Sequence, residues 1–120
     1  MFQVVRGADA DGTHLLGEVK LPPAFMVKRF GDHDGGDGRA CSGGWTFLGD
    51  SGEVFTVYER YGTTLWHGRG SGAPTIRDFW RSCEPVRLHI GGRSGADWQG
   101  FRKWLRAEYR AFVKAQQAGA

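Results

Sequence analysis

The pattern of apolar and polar positions along the chain predicts two neighbouring β-strands, at residues 45–48 and 53–59. Gly-Asp-Ser-Gly at 49–52 is typical of a tight turn, so the two strands should form a hairpin. Apolar side chains occupy both faces of the 53–59 segment, which predicts a central and largely buried strand.

Four further segments are predicted to join this sheet. Strands over 2–6 and 14–21 should form a first hairpin, because residues 7–13 are rich in turn-forming types. Residues 64–67 are expected to extend the sheet. Val, Leu and Ile alternate with Arg and His over residues 86–90, which predicts a half-exposed strand.

Two short helices are predicted between the strands. The first should open at Pro22-Pro23, since proline suits the first helical turn, and end at Gly31 as a left-handed cap. The second should be capped by Thr75. Glycine-rich loops are expected at 31–38 and 68–74. The core side chains of the two helices should be Phe25, Met26, Phe30, Ile76, Phe79 and Trp80.

A long helix is predicted over residues 96–117, with Ser94 as its cap and Asp97 in the first turn. At about 100° per residue, one arc of this helix is apolar and should pack on the sheet. Its members are Trp98, Phe101, Leu105, Tyr109, Phe112 and Val113. A neighbouring arc is cationic and consists of Arg102, Lys103, Arg106, Arg110 and Lys114.

This cationic arc is the strongest candidate for a functional surface. Like charges four residues apart destabilise an isolated helix by a few tenths of a kcal/mol per pair. That cost favours a contact face for phosphate or for an acidic protein surface, with Arg93 beside it. The alternative is a solvated face whose arginines pair with acids from the first half of the chain.

The elements together predict an α+β fold in a single domain, residues 1–120. An antiparallel sheet of four to five strands should carry the long C-terminal helix on one face, with two short helices at its edges. The chain has 120 residues, and two domains of half that length would each bury too small a core.

Charge is distributed unevenly along the chain. Residues 1–60 contain 6 Lys or Arg and 9 Asp or Glu, a net charge of −3. Residues 61–120 contain 10 Lys or Arg and 4 Asp or Glu, a net charge of +6. This asymmetry suggests a basic surface for an anionic partner, and a pI near 9.1 argues against an acidic mimic of DNA.

The hydropathy pattern predicts a cytoplasmic protein without a membrane partner. No apolar run approaches the roughly 20 residues that a membrane span needs. The N-terminal sequence lacks the basic and apolar stretches of a signal peptide, and two cysteines are too few for a disulfide scaffold.

Catalytic and metal-binding motifs fail on their spacing, so no catalytic residue, metal or cofactor is predicted. The protease nucleophile motif continues with another glycine after Gly-Asp-Ser-Gly, whereas Glu53 follows residues 49–52 here. The aspartates of the 32–37 loop lack the later ligands of a calcium loop. Cys41 and Cys83 are not in zinc-binding spacings with each other or with a histidine. An enzyme therefore remains the less favoured alternative.

The glycine-rich turn at 91–95 offers a second way to bind an anion. It is predicted to lie between a strand and a helix N-terminus, where free backbone N–H groups and Arg93 would suit a phosphate. It matches neither the P-loop nor the dinucleotide-binding glycine pattern.

Five short motifs carry a resemblance to known proteins: Gly17-Glu18-Val19-Lys20, Phe30-Gly31, Trp45-Thr46-Phe47, Gly52-Glu53-Val54-Phe55-Thr56-Val57-Tyr58 and His89-Ile90-Gly91-Gly92. From about Gly17 onward, the chain resembles a loose family of small proteins from phages and bacterial mobile elements. The resemblance implies a W-x-F hairpin, a strand ending in H-I-G-G and a final helix. It also implies phage accessory biology, in which small non-enzymatic proteins block host defence by binding. The chain departs from the pattern at residues 68–80 and in its basic last helix.

The first functional hypothesis is a non-catalytic counter-defence inhibitor that resembles an anti-CRISPR protein. Its partner would be a host protein or ribonucleoprotein complex in the host cytoplasm. The contact face would consist of Arg93, Arg102, Lys103, Arg106, Arg110 and Lys114. The alternative is a sponge-like protein that binds nucleic acid or an anionic nucleotide signal, with exposed aromatics such as Trp66 contributing.

Overall fold

The computed structural model describes residues 1–6, 10 and 12–119. This part of the chain contains one antiparallel sheet of five strands: β1 (Phe2–Val4), β2 (His14–Leu21), β3 (Gly43–Gly49), β4 (Val54–Glu59) and β5 (Val86–Gly92). The strands lie in the spatial order β1-β3-β4-β5-β2. The helices are α1 (Pro23–Phe30), α2 (Thr64–His67), α3 (Ile76–Arg81) and α4 (Trp98–Ala118). The predicted α+β class is confirmed.

The central hairpin forms as the sequence predicts. Strands β3 and β4 pair across the turn at 49–52, where Gly52 adopts a φ of 87° that favours glycine. Phe55 and Val57 of β4 are fully buried in the core. The other face of this central strand is only half-buried, so its burial is one-sided rather than two-sided.

The predicted first hairpin is wrong. Strand β1 pairs with β3 and strand β2 pairs with β5, so the two strands lie at opposite edges of the sheet. Turn-forming residues specify that the chain changes direction, but long-range packing decides which strand becomes the neighbour. Residues 7–9 and 11 of the predicted turn lie outside the described residues.

Residues 64–67 form the short helix α2 rather than a strand. The buried Thr63 is its cap, since the Thr63 hydroxyl accepts a hydrogen bond from the Leu65 amide at 3.2 Å. Gly68 ends the turn with a φ of 88°. A local cap at each end therefore outweighs the β-propensity of this segment.

Helix α4 packs the first part of its apolar arc on the sheet, as predicted, whereas aromatic residues of the later part contact α1. Phe101 and Leu105 are fully buried, and the Phe101 ring stacks on Phe55 with centroids 4.6 Å apart. Trp104, which the predicted arc omits, also packs on the core, with its ring 5.3 Å from Phe2. The arc is thus wider than expected, since a globular helix buries a broad stripe.

The start of α4 differs from the prediction. The helix begins at Trp98, and Asp97 rather than Ser94 is the cap, since the Asp97 carboxylate accepts a hydrogen bond from the Gly100 amide at 3.0 Å. Strand β5 extends through Gly92, so the predicted 91–95 turn is shorter.

Helices α1 and α3 pack on the same face of the sheet as α4. Phe25 of α1 contacts the ring of Tyr109 at 5.0 Å, and Trp80 of α3 contacts that of Trp45 at 5.3 Å. Thr75 caps α3 as predicted. Ile76 is 37% exposed and does not join the core, because the core side of this short helix is filled by its later aromatic residues.

Candidate functional site: a basic groove at the sheet edge

The cationic arc of α4 faces solvent and is called the basic flank; it consists of Arg102, Lys103, Arg106, Arg110 and Lys114. All of its members are exposed except Arg102, which is half-buried. At 1.5 Å of rise per residue, the flank extends for about 18 Å along the helix. The predicted cationic arc is therefore a continuous strip of surface.

The positive charge of this flank is largely unneutralised by the acidic side chains that the structure describes. Lys103, Arg106, Arg110 and Lys114 form no ion pair with any acidic side chain that the structure describes. Glu108, the acid within this helix, instead pairs with Arg29 of α1 at 3.2 Å. The expected alternative, arginines neutralised by acids from the first half, is not found among these residues.

An open groove of about 740 Å³ joins the basic flank to the edge strand β2. Arg102 and Arg106 line it from the helix, and Lys20 and Arg87 line it from the sheet. Glu18 is the acidic lining residue. This basic groove therefore combines four cations with one carboxylate, which gives it a strongly positive character.

Strands β2 and β5 place two of these cations side by side. Lys20 is the register partner of Arg87, and Glu18 is the partner of His89. Arg87 approaches Glu18 only to 4.0 Å, and both side chains are exposed to solvent. An exposed contact of this length contributes little, so Arg87 keeps most of its capacity to bind an anion.

Trp98 of α4 packs against the edge strand beside the groove. Its ring lies against Gly17, where an added Cβ would be 2.3 Å from the nearest ring atom. The Arg102 guanidinium lies over the same ring, 4.7 Å from its centroid. Because the ring is a cation–π platform, Arg102 is held beside the edge strand rather than extending freely into water.

A β-bulge occurs at the same point of the strand. The register of β2 against β5 shifts between Leu15 and Gly17, so Leu16 is an extra residue on the edge strand. Bulges are frequent at sheet edges and next to functional sites, where they redirect side chains. Glycine at position 17 lets Trp98 approach the backbone of the bulged strand.

The structure brings together two of the six predicted contact residues, Arg102 and Arg106, in this groove. Lys103, Arg110 and Lys114 continue the flank beyond it. Arg93 is exposed on the turn between β5 and α4 and does not line the groove.

The predicted anion loop is replaced by a different arrangement. Gly91 and Gly92 belong to β5, and the Asp97 carboxylate occupies the Gly100 amide at the helix start. A negative side chain at this position competes with an incoming anion.

Lys20 and Arg87 were missed by the sequence analysis, although both are polar residues that alternate with buried ones along their strands. Alternation indicates that they point away from the core. It contains no information that β2 and β5 are neighbours, so it could not group these cations with the basic flank.

A second cleft of about 540 Å³ lies over the opposite face of the sheet. Its polar lining includes Asp37, Cys41, Thr56 and Tyr58. Hydrogen bonds from three backbone amides, those of residues 41, 39 and 40, lower the pKa of Asp37 to about 2. Burial raises the pKa of the Cys41 thiol to about 11 and also raises the pKa of Tyr58. The thiol is therefore protonated and a poor nucleophile at neutral pH.

Three histidines make ordinary structural contacts. His67 Nε2 lies 2.7 Å from the Tyr61 carbonyl oxygen, and the His89 ring packs edge-on to Tyr58 at 5.3 Å. His33 Nδ1 accepts a hydrogen bond from the Gly35 amide at 3.1 Å. Within residues 1–6, 10 and 12–119, no three His, Cys, Asp or Glu side chains cluster as a metal site would require.

Comparison of the sequence with known protein families and with curated proteins gave no match. Among the described helices, none has the length and apolar character needed to cross a membrane.

Proposed function

We propose that this chain is a non-catalytic binding protein whose basic flank and basic groove contact an anionic surface of a host complex. The biological role that we propose is counter-defence, comparable to an anti-CRISPR inhibitor encoded by a phage or mobile element and acting in the host cytoplasm. One observation carries the proposal: among the described residues, exposed cations without acidic partners line α4 and lead into a groove at the sheet edge that is lined by four cations and one carboxylate.

The arrangement has a cost in the free protein that an anionic partner would remove. Arg102, Arg106 and Arg110 lie four residues apart and repel one another. Phosphates or carboxylates placed between them would turn this repulsion into attraction. The abundance of arginine also favours an anionic partner, because the planar guanidinium group binds phosphate and carboxylate groups in a bidentate manner.

The shape of the basic surface favours an extended partner over a small nucleotide. Cations distributed over about 18 Å of helix suit a polyanionic strand or a broad acidic surface. The half-buried Trp98 ring already contacts Gly17 and carries the Arg102 guanidinium, which leaves it less available for a base to stack on. The extent of the basic surface therefore favours an extended partner over a nucleotide signal, and binding of nucleic acid becomes an outcome of the test.

The test is a pull-down of the tagged protein from bacterial host lysate, with and without nuclease. The test variant is Arg106→Glu with Arg110→Glu, and the matched control is Arg69→Glu with Arg77→Glu. Both variants change the net charge equally, and Arg69 and Arg77 are exposed residues outside the flank.

We expect a host complex that survives nuclease to be lost with the flank variant and kept with the control. Retention that disappears with nuclease would instead identify nucleic acid as the partner, and its salt dependence would then measure the number of phosphate contacts. Equal capture by all proteins would show that the basic flank is not the contact face.

A further inference from the structure

We propose that the edge of β2 binds an extended acidic segment of the partner as a sixth strand of the sheet. This inference rests on the proposed binding function and identifies the class of partner, a polypeptide with carboxylate side chains. Two independent features coincide at this edge: a strand with an unpaired side and the basic groove that runs beside it.

Strand β2 has a free side because it is the last strand of the sheet. Its inner side pairs with β5 from His14 to Leu21. Among the hydrogen bonds of the described residues, none connects the outer side of β2 to another segment. Its backbone groups can therefore pair with an incoming strand, the mode of recognition known as β-augmentation.

The regular part of β2 has the length that this mode needs. Beyond the bulge, residues 17–21 pair continuously with β5. Five residues at about 3.3 Å each present roughly 16 Å of regular edge. This length accommodates a partner segment of five or six residues.

Charges on both sides of the edge select an acidic segment. Lys20 and Arg87 lie toward the open face of the sheet, whereas Arg102 and Arg106 approach from α4. An incoming strand directs alternate side chains to opposite faces. Carboxylates on either face of that strand would thus meet a cation.

The same charges exclude a second copy of this chain as the occupant. Pairing of two β2 edges would bring two basic grooves together, with Glu18 as the acidic lining residue of each. Lysine and bulges on an edge strand commonly prevent such self-association. With an acidic partner, the repulsion between two basic grooves is replaced by attraction between cations and carboxylates. The edge of β2 is therefore suited to a carboxylate-rich strand.

The experiment uses the full-length protein and a labelled octapeptide of alternating Glu and Thr. The first control peptide has the same sequence with every backbone amide N-methylated, which keeps the carboxylates and removes the donors. The second control peptide replaces Glu with Lys. Binding is measured by fluorescence anisotropy, and amide hydrogen exchange of the protein locates the contact.

We expect the Glu-Thr peptide to bind and to slow exchange in β2, while the other edge strand, β1, is unaffected. N-methylation should weaken binding at least about tenfold, since each lost backbone hydrogen bond contributes several-fold. The protein variant Arg102→Glu with Arg106→Glu should also weaken it at least about tenfold, unlike Arg69→Glu with Arg77→Glu.

Failure of this inference is distinguishable from failure of the proposed function. Equal affinity of the methylated peptide, protection outside β2, or no peptide binding would overturn strand addition. In each case, loss of the host complex with the flank variant would still support the basic flank as the contact surface. If that capture also survives charge reversal, both proposals fall.

Discussion

Replacing Gly17 with alanine adds a Cβ atom 2.3 Å from Cζ3 of Trp98 and 2.5 Å from two further atoms of the same ring. Non-bonded carbon atoms prefer separations of about 3.5–4.0 Å, so the ring must move by more than about 1 Å. The strand cannot retreat easily, because Gly17 is paired with Ile90 of β5. Trp98 is half-buried in the first turn of α4, so the tryptophan ring should swing outward.

The expected free-energy change follows from two opposing contributions. Overpacking at such a contact costs about 2 kcal/mol. Alanine also restricts the unfolded chain, which stabilises the native state by about 0.5–1 kcal/mol where the backbone is compatible. Gly17 has no positive φ, so the backbone conformation accepts alanine. The net destabilisation of Gly17→Ala should be about 1–1.5 kcal/mol, or roughly 3–6 °C in Tm.

A double-mutant cycle with Trp98→Ala isolates the steric contribution. Once the ring is absent, the three atoms nearest to the added methyl group are gone, and the effect on the unfolded chain should dominate. Gly17→Ala should then stabilise the protein by about 0.5 kcal/mol, so the sign of its effect reverses. The four proteins are compared by urea denaturation at pH 7. A coupling energy below about 0.5 kcal/mol would refute the Gly17–Trp98 contact as the determinant.

The remaining predictions concern charge, burial and titration. Arg106→Glu should raise stability by about 0.5 kcal/mol in urea denaturation, because two like-charge contacts become attractive, while it weakens partner capture; reduced stability would contradict this. Glu59→Ala should destabilise the fold by about 3 kcal/mol, measured in the same way, since the buried carboxylate accepts hydrogen bonds from two backbone amides at 2.8 and 3.0 Å. At pH 8, iodoacetamide should modify the exposed Cys83 far faster than Cys41, whose pKa is raised from 9.0 to about 11; equal rates would refute the effect of burial. The pKa of Asp37 is lowered from 3.8 to about 2, so its contribution is present above pH 3.8 and is lost as the pH falls toward 2. Asp37→Asn should therefore reduce the acid sensitivity of Tm across that window.

Local signals account for the elements that the sequence predicted well. The hairpin of β3 and β4 needs only two short, largely apolar segments and a glycine-containing turn, all within 43–59. Helix α4 needs only a 3.6-residue period, and Phe101 and Leu105 are buried as that period requires. These features depend on near neighbours in the chain, which a single sequence displays.

Errors arise where the outcome depends on distant residues or on a cap. The pairing of β1 with β3 is a long-range choice, supported by the Phe2 ring 5.0 Å from Phe101. The Thr63 cap is a local helix signal, and at 64–67 it outweighs the β-propensity of the segment. Asp97 replaced Ser94 as the cap of α4, because a residue's distance from the first helical turn decides whether its side chain can reach an amide.

The same division between local and long-range signals applies to the basic groove, the candidate site. Its helical half, Arg102 and Arg106, follows from periodicity along one element. Its strand half, Lys20 and Arg87, depends on β2 returning to pair with β5 at the far edge of the sheet. The displacement of β2 from β1 that invalidates the predicted first hairpin is therefore also what creates the site, because it leaves β2 with a free side next to α4. A sheet with β1 and β2 paired would have covered that side with a strand and separated the cations of the helix from an accessible backbone edge.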